Sequence, residues 1–198
     1  MIWAVAATAV GLGVALFGNC VRLASIIVEG QLDYSMGLPK NVLAHVLVSR
    51  MGLAGWGDVT FGLLAYAFFG PHDPVSIALY VTLVLVSSVI FVAYMVLAGC
   101  LAFFVGSAEA AAAQAQQAVV NCSLYPGSIY HGWLRVVLFS VVPAGLISHV
   151  PVQILPSFEP LSMLELVGFA AASVLLVTLV FRAGLRRYES GNLVTLRG

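Results

Sequence analysis

The chain has 198 residues, eight basic and eight acidic side chains, and a hydrophobic fraction of 62%. Charged residues make up only 8% of it, against roughly 25% in an ordinary soluble domain, and its mean hydropathy is +1.07. So few charges cannot cover the surface of a water-soluble globule. That excludes a soluble enzyme, a nucleic-acid binder and a disordered segment, and leaves an integral membrane protein.

A bilayer core of about 30 Å asks for about 20 mostly apolar residues in a helix. Five stretches meet this, roughly 1–20, 52–70, 75–105, 133–151 and 163–181. Continuous apolar runs without strand alternation are the helical solution for a backbone in lipid. The expected fold is therefore all-α, a polytopic transmembrane helix bundle of five spans forming a single domain over 1–198, with amphipathic cytoplasmic helices. The first stretch is uncharged and lacks the basic n-region of a signal peptide, so it reads as a retained span.

Segment 21–51 is long for a connector. In CVRLASIIVE the polar Arg22, Ser25 and Glu29 share one helical face, and in NVLAHVLVSR so do Asn41, His45 and Ser49, opposite Val42, Leu43, Val46 and Leu47. Such helices suit a membrane surface. Between them Gly30, Gly37 and Pro39 punctuate a compact turn, which reads either as a solvated elbow or as a docking element for a cytoplasmic partner.

The second span carries Asp58, and the third is free of charge. Segment 106–132 begins as an Ala-rich helix whose Glu109, Gln116 and Gln117 share a face, extending the third span into the cytosol. Tyr125-Pro126 ends that helix, and Trp133, with Tyr125 and Tyr130, forms an interfacial aromatic belt at the re-entry. The fourth span contains Pro143 and Pro151, the fifth has Glu165 near its start, and 182–198 form a tail.

All eight Lys and Arg residues fall in or beside segments 21–51, 106–132 and 182–198, and none near the opposite connectors. This positive-inside asymmetry puts the C-terminus in the cytoplasm and Met1 outside.

Catalytic chemistry is poorly supported. Cys20, Cys100 and Cys122 have no CxxC spacing and read as packing residues. His45, His72, His131 and His149 lie near span ends without an HExxH or HxxxH pattern, so no metal site is expected. Asp58 and Glu165 are the carboxylates nearest the membrane interior, which makes each a functional candidate by default. Each also lies near a predicted span end, where interfacial solvation or a helix N-terminus accounts for it. No phosphate-binding loop is present, and Lys40, the single lysine, follows a proline. ATP, if used, belongs to another subunit.

Three segments carry a resemblance. GQLDYSMGLPKN is similar to a G-x-L-D-x-x-L-x-x-P motif, YPGSIYHGWLRVVLFSVVPAGLISHVPVQIL to a YP-x-x-I…W-L-R…P…P block, and GLRRYESGN to a G-L-R-R-Y-x-S ending. In this order they resemble a bacterial family of type-2 ABC transporter permeases, the ABC-2 class. The resemblance implies a permease subunit of an ATP-driven exporter in the bacterial cytoplasmic membrane. It would pair with a second permease, as homo- or heterodimer, and with ABC ATP-binding subunits that hold ATP and Mg²⁺, so this chain carries no cofactor.

The first motif puts Gly30, Leu32, Asp33 and Pro39, with the adjoining Glu29, in the loop that engages the ATPase. The second puts Tyr125, Pro126, Trp133, Leu134 and Arg135 at the re-entry into the penultimate span, where Pro143 and Pro151 would kink that span and break its outer end. Arg186, Arg187, Tyr188 and Ser190 match the cytoplasmic tail. Met36, Leu38 and His131 depart from the pattern at positions where leucine, a basic residue and proline are common. The family has a cytoplasmic N-terminus and one further helix before the first one here, so the resemblance covers five helices of six. The alternatives are a non-transporting membrane scaffold or assembly protein and a membrane-embedded enzyme; the latter lacks convergent polar residues. Small residues at helical spacing, Ala98 with Ala102 and Gly168 with Ala172, are candidates for close helix packing. The remaining partner is membrane lipid, with no nucleic acid.

Overall fold

A computed structural model describes residues 1–105, 108–124 and 142–188. The described residues are helical, without strands. The elements are α1 (Ile2–Leu16), a 3₁₀ turn (Gly18–Arg22), α2 (Leu23–Val28), α3 (Leu32–Met36), α4 (Val42–Val48), α5 (Leu53–Phe69) and α6 (Pro74–Cys100), which runs on through the 3₁₀ turn Leu101–Phe103. Then come α7 (Ala108–Leu124), a π-helical turn (Gly145–His149), α8 (Val150–Ile154) and α9 (Pro160–Leu185).

Local chemistry sets the helix starts. Asp73 caps α6, its Oδ2 accepting from the Ser76 N–H at 2.9 Å, with Pro74 in the first turn. The same backbone N–H holds the Asp73 carboxyl below its usual range. Asn41 Oδ1 caps α4 by accepting from the Ala44 N–H at 3.2 Å, and Pro160 opens α9.

Among the described residues, two helices are long and apolar enough to cross a membrane, Pro74–Phe103 and Pro160–Leu185. A third qualifies only if α1 and the segment to Val28 are one span bent by 83°. The five straight spans expected from hydropathy are therefore not reproduced. The second expected span is α5, whose 17 residues rise only about 25 Å. Residues 133–141 of the fourth lie outside the described residues; its described end runs unbroken from Ala144 through the π-helical turn to Ile154, with Pro143 just before it and Pro151 inside α8. Pro143 accepts the Leu146 and Ile147 N–H groups at 3.1 Å, and Pro151 lies in the first turn of α8. A proline cannot donate to the turn before it, so the ladder loosens there.

α6 is the central helix. α1, α2, α7, α9 and the π-helical turn all pack on it, and Leu83, Ile90, Phe91 and Val96 are almost fully buried. α7 differs from its expectation. The chain breaks after Phe103, and α7 packs back against α6, α1 and α2 instead of prolonging the third span, burying Ala108, Val119 and Ser123. With alanine on most of its surface, it can lie close to neighbouring helices.

α1 and α5 pack backbone to backbone. A Cβ on Gly55 would meet the Ala15 nitrogen and the Gly11 oxygen at 2.5 Å, and one on Gly11 would meet the Gly55 oxygen at 2.7 Å. Gly62 abuts Thr8 and Ala4, and Gly52 abuts Val14. This glycine seam is the close-packing device of the fold. Gly168, by contrast, has nothing within 4 Å of a Cβ and Ala172 is exposed, so that pair does not join helices. At the outer end of the seam the Thr8 and Tyr80 hydroxyls lie 2.7 Å apart and both reach the Ala4 carbonyl, at 2.6 and 3.2 Å. The Tyr80 ring stacks on Tyr66 with centroids 3.9 Å apart.

Candidate functional site

The basic side chains Arg22, Lys40, Arg50, Arg182, Arg186 and Arg187 belong to the elements at one end of the bundle, where α1 turns into α2–α4 and where α6 and α9 finish. Here the first and third sequence motifs, far apart along the chain, come together.

α2 buries Leu23, Ala24, Ile26 and Ile27 and leaves Arg22 and Glu29 exposed, as its periodicity predicts. A Cβ on Gly99 would fall 2.8 Å from the Leu23 Cβ, so α2 lies tightly on α6. The chain then reverses at Gly30, whose φ of +74° is a left-handed conformation that costs little only for glycine. Beyond it, α3 is rooted by Leu32 and Ser35, both buried, and turns Asp33, Tyr34 and Met36 outward; Tyr34 is 77% exposed. Glu29 accepts a hydrogen bond from Gln31 Nε2 at 2.6 Å. Pro39 is exposed in the turn before α4.

Two fastenings join this elbow to the bundle. Buried Asn19 donates from Nδ2 to the Val46 carbonyl at 2.8 Å and to Ser49 Oγ at 2.9 Å, which ties the bend after α1 to α4. The close approach of Gly18 to the Gly52 nitrogen and Arg50 oxygen reinforces that tie. The other fastening is Tyr188. Its ring packs edge-on against Phe103 with centroids 6.1 Å apart, and Phe103 packs in turn on Phe181, at 5.6 Å, and against Gly184. The Tyr188 hydroxyl lies 3.7 Å from where a Gly30 Cβ would stand. It is buried without a hydrogen bond of good geometry, yet the Asp33 carboxylate and the Leu32 N–H are near enough to act on it. Burial, and then the Asp33 charge, push the phenol up to about 12. Arg187 lies over the Phe104 ring at 5.5 Å, and Arg186 is exposed.

The structure thus brings Gly30, Leu32 and Asp33 together with Tyr188 and leaves Glu29, Pro39 and Arg186 on the surface around them. Tyr125, Pro126, Trp133 and Ser190 lie outside the described residues, while Pro143 and Pro151 belong to the π-helical segment away from this elbow. Sequence reading missed Asn19, Phe103 and the Gly18–Gly52 contact. An asparagine beside a glycine at the end of an apolar run was the available signal for the first.

His149, expected at a span end, is buried, with Nδ1 3.3 Å from Ser148 Oγ. Cys20 and Cys100 are buried and Cys122 half-buried, all as free thiols. No three His, Cys, Asp or Glu side chains converge among the described residues. The arrangement has the form of a mechanical joint, with an outward-facing helix packed on α4 and linked through α4 to the end of α1, through α2 to α6 and at Asp33 to Tyr188 beyond α9.

Among curated proteins and among solved structures none matches the chain. A family model described as ABC-2 family transporter protein matches residues 8–192. That match spans the elbow and most of the helices that brace it, and the chain belongs to the ABC-2 family of transporter proteins, as a transmembrane permease component rather than an ATPase.

Proposed function

We propose that this chain is the permease subunit of an ATP-driven exporter in a bacterial cytoplasmic membrane. It forms the translocation pathway with a second permease, as a homo- or heterodimer, while separate subunits bind ATP and Mg²⁺ at its basic, cytoplasmic end. The observation that carries this reading is the joint itself. α3 offers Asp33, Tyr34 and Met36 to a partner, and its root cannot move alone. Through α4, on which it packs, α3 is tied to Asn19 at the end of α1, through α2 to Gly99 on α6, and at Asp33 to Tyr188 beyond α9. Closure of two ATPases would thereby reach three helices at once, which is what alternating access requires of a coupling element.

Co-purification tests it. Tagged protein is expected to bring down an ATPase and a second permease, and recovery of neither sinks the exporter reading. Asp33→Arg and Tyr34→Asp are each expected to abolish ATPase recovery while leaving membrane insertion intact. Tyr34 is 77% exposed, so its effect reports docking and not local unfolding. Undiminished recovery with both variants would remove α3 from the coupling role.

A further inference from the structure

A second feature lies at the opposite end of the α1–α5 seam. A groove of about 470 Å³ opens there, with Trp3, Phe61, Ala65, Phe68 and Phe69 among its lining residues, a size within the roughly 300–1,000 Å³ of small-molecule sites. Trp3, Phe61, Phe68 and Phe69 are 52, 54, 76 and 79% exposed, so the aromatic surface is open to an occupant.

Asp58 is not among the groove's lining residues; it lies one helical turn before Phe61 on the same edge of α5. It precedes Phe61 by three residues and Ala65 by seven, the spacing that places all three on one helical face, and its Cβ lies 2.7 Å from where a Gly11 Cβ would be. It is exposed, and no hydrogen bond or ion pair holds it among the described residues. Neither α1 nor α5 carries a basic side chain.

Asp58 lies level with the middle of the long apolar helix α6 rather than with its ends. α5 is short, so Asp58 lies within about one turn of the middle of that helix. The neighbouring Gly13 abuts Phe91 and Val92, near the middle of the 30-residue membrane-crossing helix. An outward carboxylate at such a depth, with no cation supplied by its own helices, needs a positive partner.

We infer that the α1–α5 groove binds a lipophilic organic cation, with its aromatic or aliphatic body between Trp3, Phe61 and Phe68 and its positive charge drawn towards Asp58, one turn beyond Phe61. The carboxylate gives the charge preference, and the open aromatic faces add cation–π attraction. The inference rests on the permease reading for its purpose, since such a site names a class of cargo, but binding itself needs no ATPase.

The probe is tetraphenylphosphonium, set against tetraphenylborate, an anion of the same shape. Equilibrium dialysis uses the full chain in lipid nanodiscs, with empty nanodiscs subtracted. Saturable tetraphenylphosphonium binding is expected, weakened about tenfold or more by Asp58→Asn and retained by Asp58→Glu. Phe61→Ala should weaken it severalfold, and Glu165→Gln, on α9, should leave it unchanged. Equal binding by Asp58→Asn overturns the inference, as does equally tight tetraphenylborate binding, which would mark a purely apolar groove. Selective loss of the second permease from Asp58→Asn also overturns it, by giving the carboxylate to a subunit interface. If binding fails while the ATPase still co-purifies, the permease reading stands without this site. If binding holds but no ATPase or permease is recovered, the site stands and the exporter reading falls.

Discussion

At the scale of single residues, the motif positions differ in what fixes them. Gly30 needs its residue type for a conformational reason. Its φ of +74° excludes an unstrained L side chain, while the nearest atom to a Cβ is 3.7 Å away, so space is not the constraint. Gly30→Ala is expected to destabilise the elbow by about 1 kcal/mol, seen as earlier proteolysis within 29–40 in limited digestion. Tyr188 is fixed by its surroundings. Its phenol is raised from 10.0 to about 12, so the folded chain keeps a proton that the unfolded chain loses first. The contribution of this group is complete below about pH 10 and is lost as pH rises from about 10 towards about 12. Thermal melting followed over that range should fall more steeply for the native chain than for Tyr188→Phe, which keeps the ring contact and cannot titrate. Gly30 and Asp33 were legible from their motif. The meeting of Asp33 with Tyr188 was not, because nothing local in either segment encodes the other.

At the scale of elements, the glycines divide by what they face. Gly55 meets two backbones and Gly57 meets nothing within 4 Å, although they are two residues apart on one helix. Gly55→Ala is expected to cost about 2 kcal/mol, because a rigid backbone cannot move aside for the new methyl. Gly57→Ala should be neutral or slightly stabilising through helix propensity. Melting of detergent-solubilised protein, followed by size-exclusion chromatography, distinguishes them. Tyr80→Phe, which removes the hydroxyl shared with Thr8 and Ala4, should cost about 1 kcal/mol in the same measurement. Hydropathy located α5, α6 and α9 to within a few residues, because burial in lipid is a property of each segment alone. It misjudged α7, where an alanine-rich stretch offers no periodic signal and docking on α6 decides its course. Of its two small-residue pairs, Ala98 and Ala102 are buried while Gly168 meets nothing; Gly168 is as small as Gly55, and only the neighbour's position tells them apart.

At the scale of the whole molecule, the charge asymmetry makes a topological prediction. With Cys122 replaced by alanine, Tyr34→Cys in intact cells should resist a membrane-impermeant maleimide and react after permeabilisation, while His72→Cys should react from outside. The reverse pattern would invert the orientation. Sequence alone determined that this protein lives in a bilayer, that it is helical, and that its basic residues gather on one side, because composition and segment hydropathy are summed over local residues and need no knowledge of contacts. It also pointed to the family that the match to residues 8–192 shows. Tertiary structure decided the rest. The 83° bend after α1, the approach of Asp33 to Tyr188, and the packing of Asp58 against Gly11 on the α1–α5 edge each depend on which helix faces met. Between apolar helices in lipid that choice turns on backbone approach distances and a few buried hydroxyl, amide and aromatic contacts, which the hydrophobic pattern does not record.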